Sequence, residues 1–150
     1  MSKKDQATEQ IAALPVRWDK SGKPRILMVT SRDTGRWVMP KGWLMDGKKP
    51  WQAAKIEALE EAGAVGYVSD QPIGEYRYNK RLGVDAQSDL PCRVTVFPMI
   101  VERLKRHWKE QKERKRHWFS FQKAAKLVDE KDLSSLLNKL AKDPKKLSKL

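Results

Sequence analysis

Apolar residues change their period along this chain, and the changes mark its elements. "PVRW" and "RILMVTS" read as strands joined by the turn "DKSGKP", where Gly22 and Pro24 punctuate an opening hairpin. "RWVMP" is a further short strand, stopped by Pro40. "AVGYV", "IGEYRYNK" and the β-branched "CRVTVFPMIVERL" carry the same strand character, separated by the turn-rich "RLGVDAQSD". Pro98, inside the longest of these runs, predicts a bulge or a sheet edge, because it has no N–H to give to a ladder.

Between the strand segments the pattern turns helical. Trp51 to Ala62 is built of strong helix formers, Pro50 suits the first turn, and Gly63 stands where a left-handed cap is wanted. After a last short strand at "HWFSF", Ala124, Ala125, Leu127 and Val128 predict one helix, and Leu133, Leu136, Leu137 and Leu140 another. A sheet interrupted by one helix and closed by helices is an α/β layered domain. Residues 1–10 are expected to form a flexible tail, 11–141 the domain and 142–150 a basic tail.

Composition narrows the class. The 150 residues, 39% of them hydrophobic, suffice for one domain with a real core. Cys92 is the only cysteine, so the chain holds no internal disulfide and no thiolate zinc cluster, and a reducing, cytoplasmic setting is the expectation. No apolar run of about 18 residues predicts a membrane span. Lys and Arg outnumber Asp and Glu 32 to 19, a formal charge of +13 that favours anionic partners. RNA or other nucleic acid, acidic lipid and a small polyphosphorylated molecule all qualify, and charge alone does not choose among them; part of the excess, including "KERKR" and "KDPKKLSKL", is read as solvated surface.

Against that basic background three carboxylates crowd together. Glu57, Glu60 and Glu61 share one helix face, where like charges repel by a few tenths of a kcal/mol per pair. A hard divalent cation, Mg²⁺ or Mn²⁺, would take oxygens from such a face; the alternative is a solvated acidic patch. Gly42, in the loop before the helix, permits a close approach of backbone to ligand, and carbonyls near Lys41 and Gly42 would face the same space.

At "PKGWLMDGKKPWQAAKIEALEEAGA" the chain resembles the Nudix hydrolase signature G-x5-E-x7-R-E-U-x-E-E-x-G-U, in which U is aliphatic. Gly42, Glu57, Glu60, Glu61 and Gly63 fall in register; Lys48 replaces the first Glu and Ile56 the Arg, and the small Ala58 and Ala64 fill aliphatic positions. "RWVMPKGW", "RKRHWF" and "AAKLV" are similar to the branch that hydrolyses diphosphoinositol polyphosphates and diadenosine polyphosphates. The resemblance implies a Nudix fold, an α/β/α sandwich on a central mixed sheet. It also implies metal-dependent hydrolysis of a phosphoanhydride bond, with Glu57 and Glu61 as metal ligands, Glu60 holding another metal or its water, and the Lys41 carbonyl contributing. The missing Arg is the residue that helps orient a metal-binding Glu in relatives, and a binding module that does not cleave is the second reading.

Other roles stay open among several residues. Glu60, Glu102, Glu110 and Glu113 are candidates for the general base, with surface roles favoured for the last three. Arg17, Arg36, Lys41, Arg77, Lys80, Arg81 and Arg116 are candidate phosphate contacts, Lys41 foremost. His107 and His117 are assigned to surface or core; Trp18, Trp37 and Trp118 read as core residues, whereas Trp43 and Trp51 flank the signature loop as stacking or lid candidates.

Overall fold

A computed structural model describes residues 7–80 and 89–148. In chain order the elements are β1 (Thr8–Trp18), β2 (Pro24–Thr30), β3 (Trp37–Val38), β4 (Lys41–Trp43), α1 (Pro50–Ala62), β5 (Ala64–Val68), β6 (Gly74–Lys80), β7 (Leu90–Leu104), β8 (Arg116–Ser120), α2 (Phe121–Leu127), α3 (Lys131–Lys142) and α4 (Lys145–Ser148). The strands form one mixed sheet with β1 and β7 at its centre, paired in parallel from Thr8↔Cys92 to Val16↔Ile100; the other pairings are antiparallel.

The alternation along the central strands explains the layers. On β1, Ala12, Leu14 and Val16 face one cluster while Ile11 and Ala13 face the other; on β2, Ile26 and Met28 divide from Leu27 and Val29 in the same way. Helices cover both faces, so every second residue is buried on either side, at about 1.5–3 kcal/mol for each large side chain. The first cluster is closed by Phe121, Leu133, Leu137 and Leu140 of α2 and α3, the second by Ala53, Ala54, Ala58 and Ala62 of α1. The expected α/β/α sandwich is therefore the observed fold.

Three expectations change. β1 begins at Thr8, inside the segment expected to be a tail, because residues 8–10 already pair with β7 and β4. At the other end Leu147 of α4 is fully buried, so the basic residues around it decorate a packed turn. Pro98 lies in a central strand: β7 pairs with β6 up to Val96 and with β5 from Met99 onward, and the proline occupies the junction where its neighbour changes.

Candidate active site

Helix α1 starts at Pro50, and the Lys49 N–H donates to Gln52 Oε1 at 2.8 Å. It stops at Gly63, whose φ of 63° is the left-handed conformation expected of a cap and whose N–H reaches back to Leu59 O at 3.0 Å. The alanine face brings α1 close to the sheet and carries its carboxylates to the edge of β4. The result is a cleft of about 380 Å³, lined among others by Lys41, Gly42, Glu57, Glu60, Glu61 and Glu110.

Two of the three predicted carboxylates converge. Glu57 and Glu61 face each other closely enough to share a hydrogen bond, and the Glu57 carboxyl lies where a side chain on Gly42 would otherwise stand. Burial, reinforced by the neighbouring Glu57, pushes Glu61 up to about 9, and burial raises Glu57 as well. Glu60 turns toward Lys109, with Oε2 3.4 Å from Nζ. Among the described residues no three His, Cys, Asp or Glu side chains form a metal-holding group, so the expected convergence of three is here a pair. At Lys41 it is the backbone N–H that reaches Glu61 Oε1, at 3.4 Å.

A divalent ion still fits this donor set. Buried Glu61 and half-buried Glu57, held beside a glycine that leaves room for them, suit an ion that takes one or two carboxylates and keeps several waters or phosphate oxygens. The residues that would hold it are Glu57 and Glu61.

The cations sort differently from expectation. Lys41 and Lys80 line the cleft, and the Lys41 ammonium lies 5.1 Å from the Tyr78 ring centroid; burial lowers the Lys41 pKa, opposed by Glu61. Arg36 is instead paired with Asp129. Arg17 stacks at 4.2 Å on Trp118, in a separate hollow with Trp18 and Arg25. Arg116 donates to Ala62 O at 2.8 Å and stacks at 3.8 Å on Trp108, so its guanidinium is committed to the end of α1. Arg77 is exposed on β6 and does not line the cleft, while Arg81 lies outside the described residues. Two arginines outside the expected set line the cleft: Arg32, from the turn after β2, and Arg114, from a run read as solvated charge. The only local signal for Arg114 is its spacing of four from Glu110, to which it donates at 2.8 Å.

Of the candidate bases, Glu60 and Glu110 face the cleft; Glu113 pairs with Arg32 at 3.5 Å, and Glu102 is exposed on β7. His117 packs with Phe119 at 4.7 Å between ring centroids, and His107 is an exposed neighbour of Gln111. Trp37 stacks edge-on against Phe119, as expected of a core residue, whereas Trp18 is 36% exposed at the end of the first hairpin. Trp43, at 42%, stands exposed on the cleft wall, and Trp51 packs against the core beneath α1.

Comparison with known proteins bears on the family and the fold. Among curated relatives, Nudix hydrolase 13, mitochondrial, of Arabidopsis thaliana is 32% identical over 112 residues, covering 73% of this chain and 55% of the relative. Diphosphoinositol polyphosphate phosphohydrolase 3-alpha of Mus musculus is 32% identical over 106 residues, covering 69% and 58%. The chain thus spans little more than half the length of these relatives. The crystal structure of the C. elegans Ap4A hydrolase superposes with a TM-score of 0.62 at 19% identity, over 91% of this chain and 97% of that one, a likeness of fold. With the NUDIX domain profile matching residues 8–140, the chain belongs to the NUDIX family.

Proposed function

We propose that this chain is a Nudix-type pyrophosphohydrolase that cleaves a phosphoanhydride bond in a small polyphosphorylated substrate with the help of Mg²⁺ or Mn²⁺. The observation that carries the reading is the Glu57 and Glu61 pair packed beside Gly42 inside a cleft that also presents Lys41, Lys80 and Arg32. Acidic and cationic walls in one cleft suit a phosphate chain accompanied by a divalent ion, which Glu57 and Glu61 would hold. Relatives named for diphosphoinositol polyphosphates and Ap4A support a substrate of high negative charge, which the formal charge of +13 would attract.

A bound divalent ion would neutralise phosphate oxygens and make its water more acidic. The chain's own residues do the rest. Glu57 and Glu61 hold the ion's charge in place, and Lys41 and Lys80 meet the phosphate oxygens. Glu60 or Glu110 takes the proton of the attacking water, with in-line displacement releasing a phosphorylated product. Trp43 offers an apolar plate at the rim for the group beyond the phosphates. The lone, buried Cys92 fits a reducing compartment such as the cytoplasm.

The test is a panel of inositol pyrophosphates, diadenosine polyphosphates and nucleoside diphosphate derivatives, incubated with Mg²⁺ or Mn²⁺ and read by mass. Products should form only with metal and only when Glu57 and Glu61 are intact. Salt-sensitive binding without cleavage, indifferent to chelator, would establish the binding module instead.

A further inference from the structure

Four backbone carbonyls at the end of α1 are taken up by a single later segment. Lys105 N donates to Gly63 O at 2.8 Å and Glu110 N to Glu60 O at 3.0 Å. Trp108 Nε1 donates to Glu61 O at 3.0 Å, and Arg116 Nη1 to Ala62 O at 2.8 Å. The last carbonyls of a helix have no partner within it, so other parts of the chain are free to bind them. Here residues 105–116 occupy a run of them and are thereby fastened to α1.

Arg114 projects from that segment onto Glu61. Its side chain is only 9% exposed, with Nη2 3.8 Å from Glu61 Oε1. The rest of the guanidinium is anchored: Nε donates to Glu110 Oε1 at 2.8 Å and Nη1 to Thr30 O at 3.0 Å. A planar fork fixed at two corners has one orientation left for the third. Within α1 itself nothing does this work, because Ile56 occupies the position at which the signature carries arginine.

We infer that Arg114 is a positioning residue for Glu61: it holds the carboxylate in the rotamer that faces the cleft, supplying from residue 114 the guanidinium that the helix lacks at residue 56. The inference rests on the hydrolase reading above. It explains how a site without the signature arginine keeps a buried carboxylate aimed at a cation. It also gives the 105–116 segment a purpose, since its hydrogen bonds tie the arginine to the helix that carries the carboxylate.

The experiment is a Mg²⁺ titration followed by thermal unfolding of the full chain, for wild type, Arg114→Met and Arg114→Lys. Losing a residue that orients a metal ligand weakens metal binding by about 10- to 100-fold, so the Mg²⁺ concentration giving half the maximal Tm rise should climb by that factor in Arg114→Met. Arg114→Lys keeps the charge without the fork and should recover part of the loss; if Arg114→Met does not fold, Arg114→Lys alone carries the comparison, with a smaller rise expected. A purely structural role would lower the metal-free Tm and leave half-saturation where it was in wild type, and that result overturns the inference while the hydrolase reading stands. A wild type whose Tm ignores Mg²⁺ and Mn²⁺ overturns both together.

Discussion

A β-carbon placed on Gly42 would lie 2.5 Å from the Glu57 carboxyl carbon, so the backbone of one residue and the side chain of the other occupy adjoining halves of one small space. The glycine is required by the carboxylate and not by backbone strain, since its φ is not among the positive ones. Gly42→Ala therefore meets the flexible end of a side chain, which can swing away at little expense to the fold. We expect a change in stability below about 1 kcal/mol, as for ordinary substitutions away from the core, together with a large loss of metal-dependent turnover. Thermal unfolding and initial rates on the same preparation check it; a variant that unfolds early while its specific activity survives would show that the glycine serves the fold.

Arg116 gives the opposite separation. Its guanidinium caps α1 through Ala62 O and stacks on Trp108, and it does not line the cleft that Lys41 and Lys80 share. Arg116→Met should destabilise by about 1–3 kcal/mol, the expense of a part-buried carbonyl left without its charged donor, with KM unchanged. A raised KM at unchanged Tm would return Arg116 to the substrate contacts proposed from sequence.

These two residues also show what the sequence could and could not tell. The i, i+3, i+4 spacing placed Glu57, Glu60 and Glu61 on one face, and Pro50 and Gly63 bounded their helix, because those are local rules written in neighbouring residues. Alternation on β1 and β2 was legible for the same reason. Which cation meets which carboxylate was not, since Arg114 reaches Glu61 across 53 positions, through a segment whose hydrogen bonds to α1 come from backbone groups and from Trp108 and Arg116. Arg17 and Arg36 looked equally suitable on composition; the fold gives one to Trp118 and the other to Asp129. Glu60 lines the same cleft without joining the Glu57–Glu61 pair, because helical spacing fixes direction from the axis and not the rotamer, and Lys109 lies 3.4 Å from its carboxylate.

Leu147 tests how far the fold extends. It is fully buried in the cluster under α2 and α3, beyond the boundary expected from the basic composition. Leu147→Ala should remove about 2–5 kcal/mol by opening a cavity, and a truncation after residue 142 should destabilise to a similar degree. Chemical denaturation with an unchanged m-value would register it, whereas an unchanged midpoint would restore the C-terminal segment to the status of a tail.

Acid sensitivity should arise in part at the first hairpin. The Asp19 carboxylate accepts hydrogen bonds from Ser21 Oγ, the Lys23 and Ser21 N–H groups and Arg25, and the Ser21 hydroxyl leads the causes that hold it well below the usual carboxylate range. A depressed folded-state pKa contributes stability that is present above the ordinary value of about 4 and lost as pH falls below it. Asp19→Asn should therefore unfold at a lower temperature than wild type at pH 7, with the gap closing in strong acid. A gap that stays constant from pH 7 to pH 2 would mean that the turn's geometry and not its charge is what matters.

If Lys41 meets the substrate phosphates as proposed, its loss should be seen in KM. Its ammonium sits over the Tyr78 ring, and the Tyr78 hydroxyl donates to buried Gln10 at 2.5 Å, so the aromatic plate beneath the lysine is itself fixed. Burial lowers the Lys41 pKa, which means that the fold bears a desolvation penalty for placing a charge there. Lys41→Met removes that penalty and keeps most of the apolar stem, so stability should be unchanged or slightly higher. The charge-assisted bond to phosphate is lost, at about 1.5–3 kcal/mol, or roughly 10- to 150-fold in kcat/KM, expressed mainly in KM. Because one cation fewer meets the polyanion, the slope of log KM against log salt should also become shallower. Rates measured across a salt series for both proteins decide it: equal slopes and equal KM would place the phosphates against Lys80 and Arg32 instead.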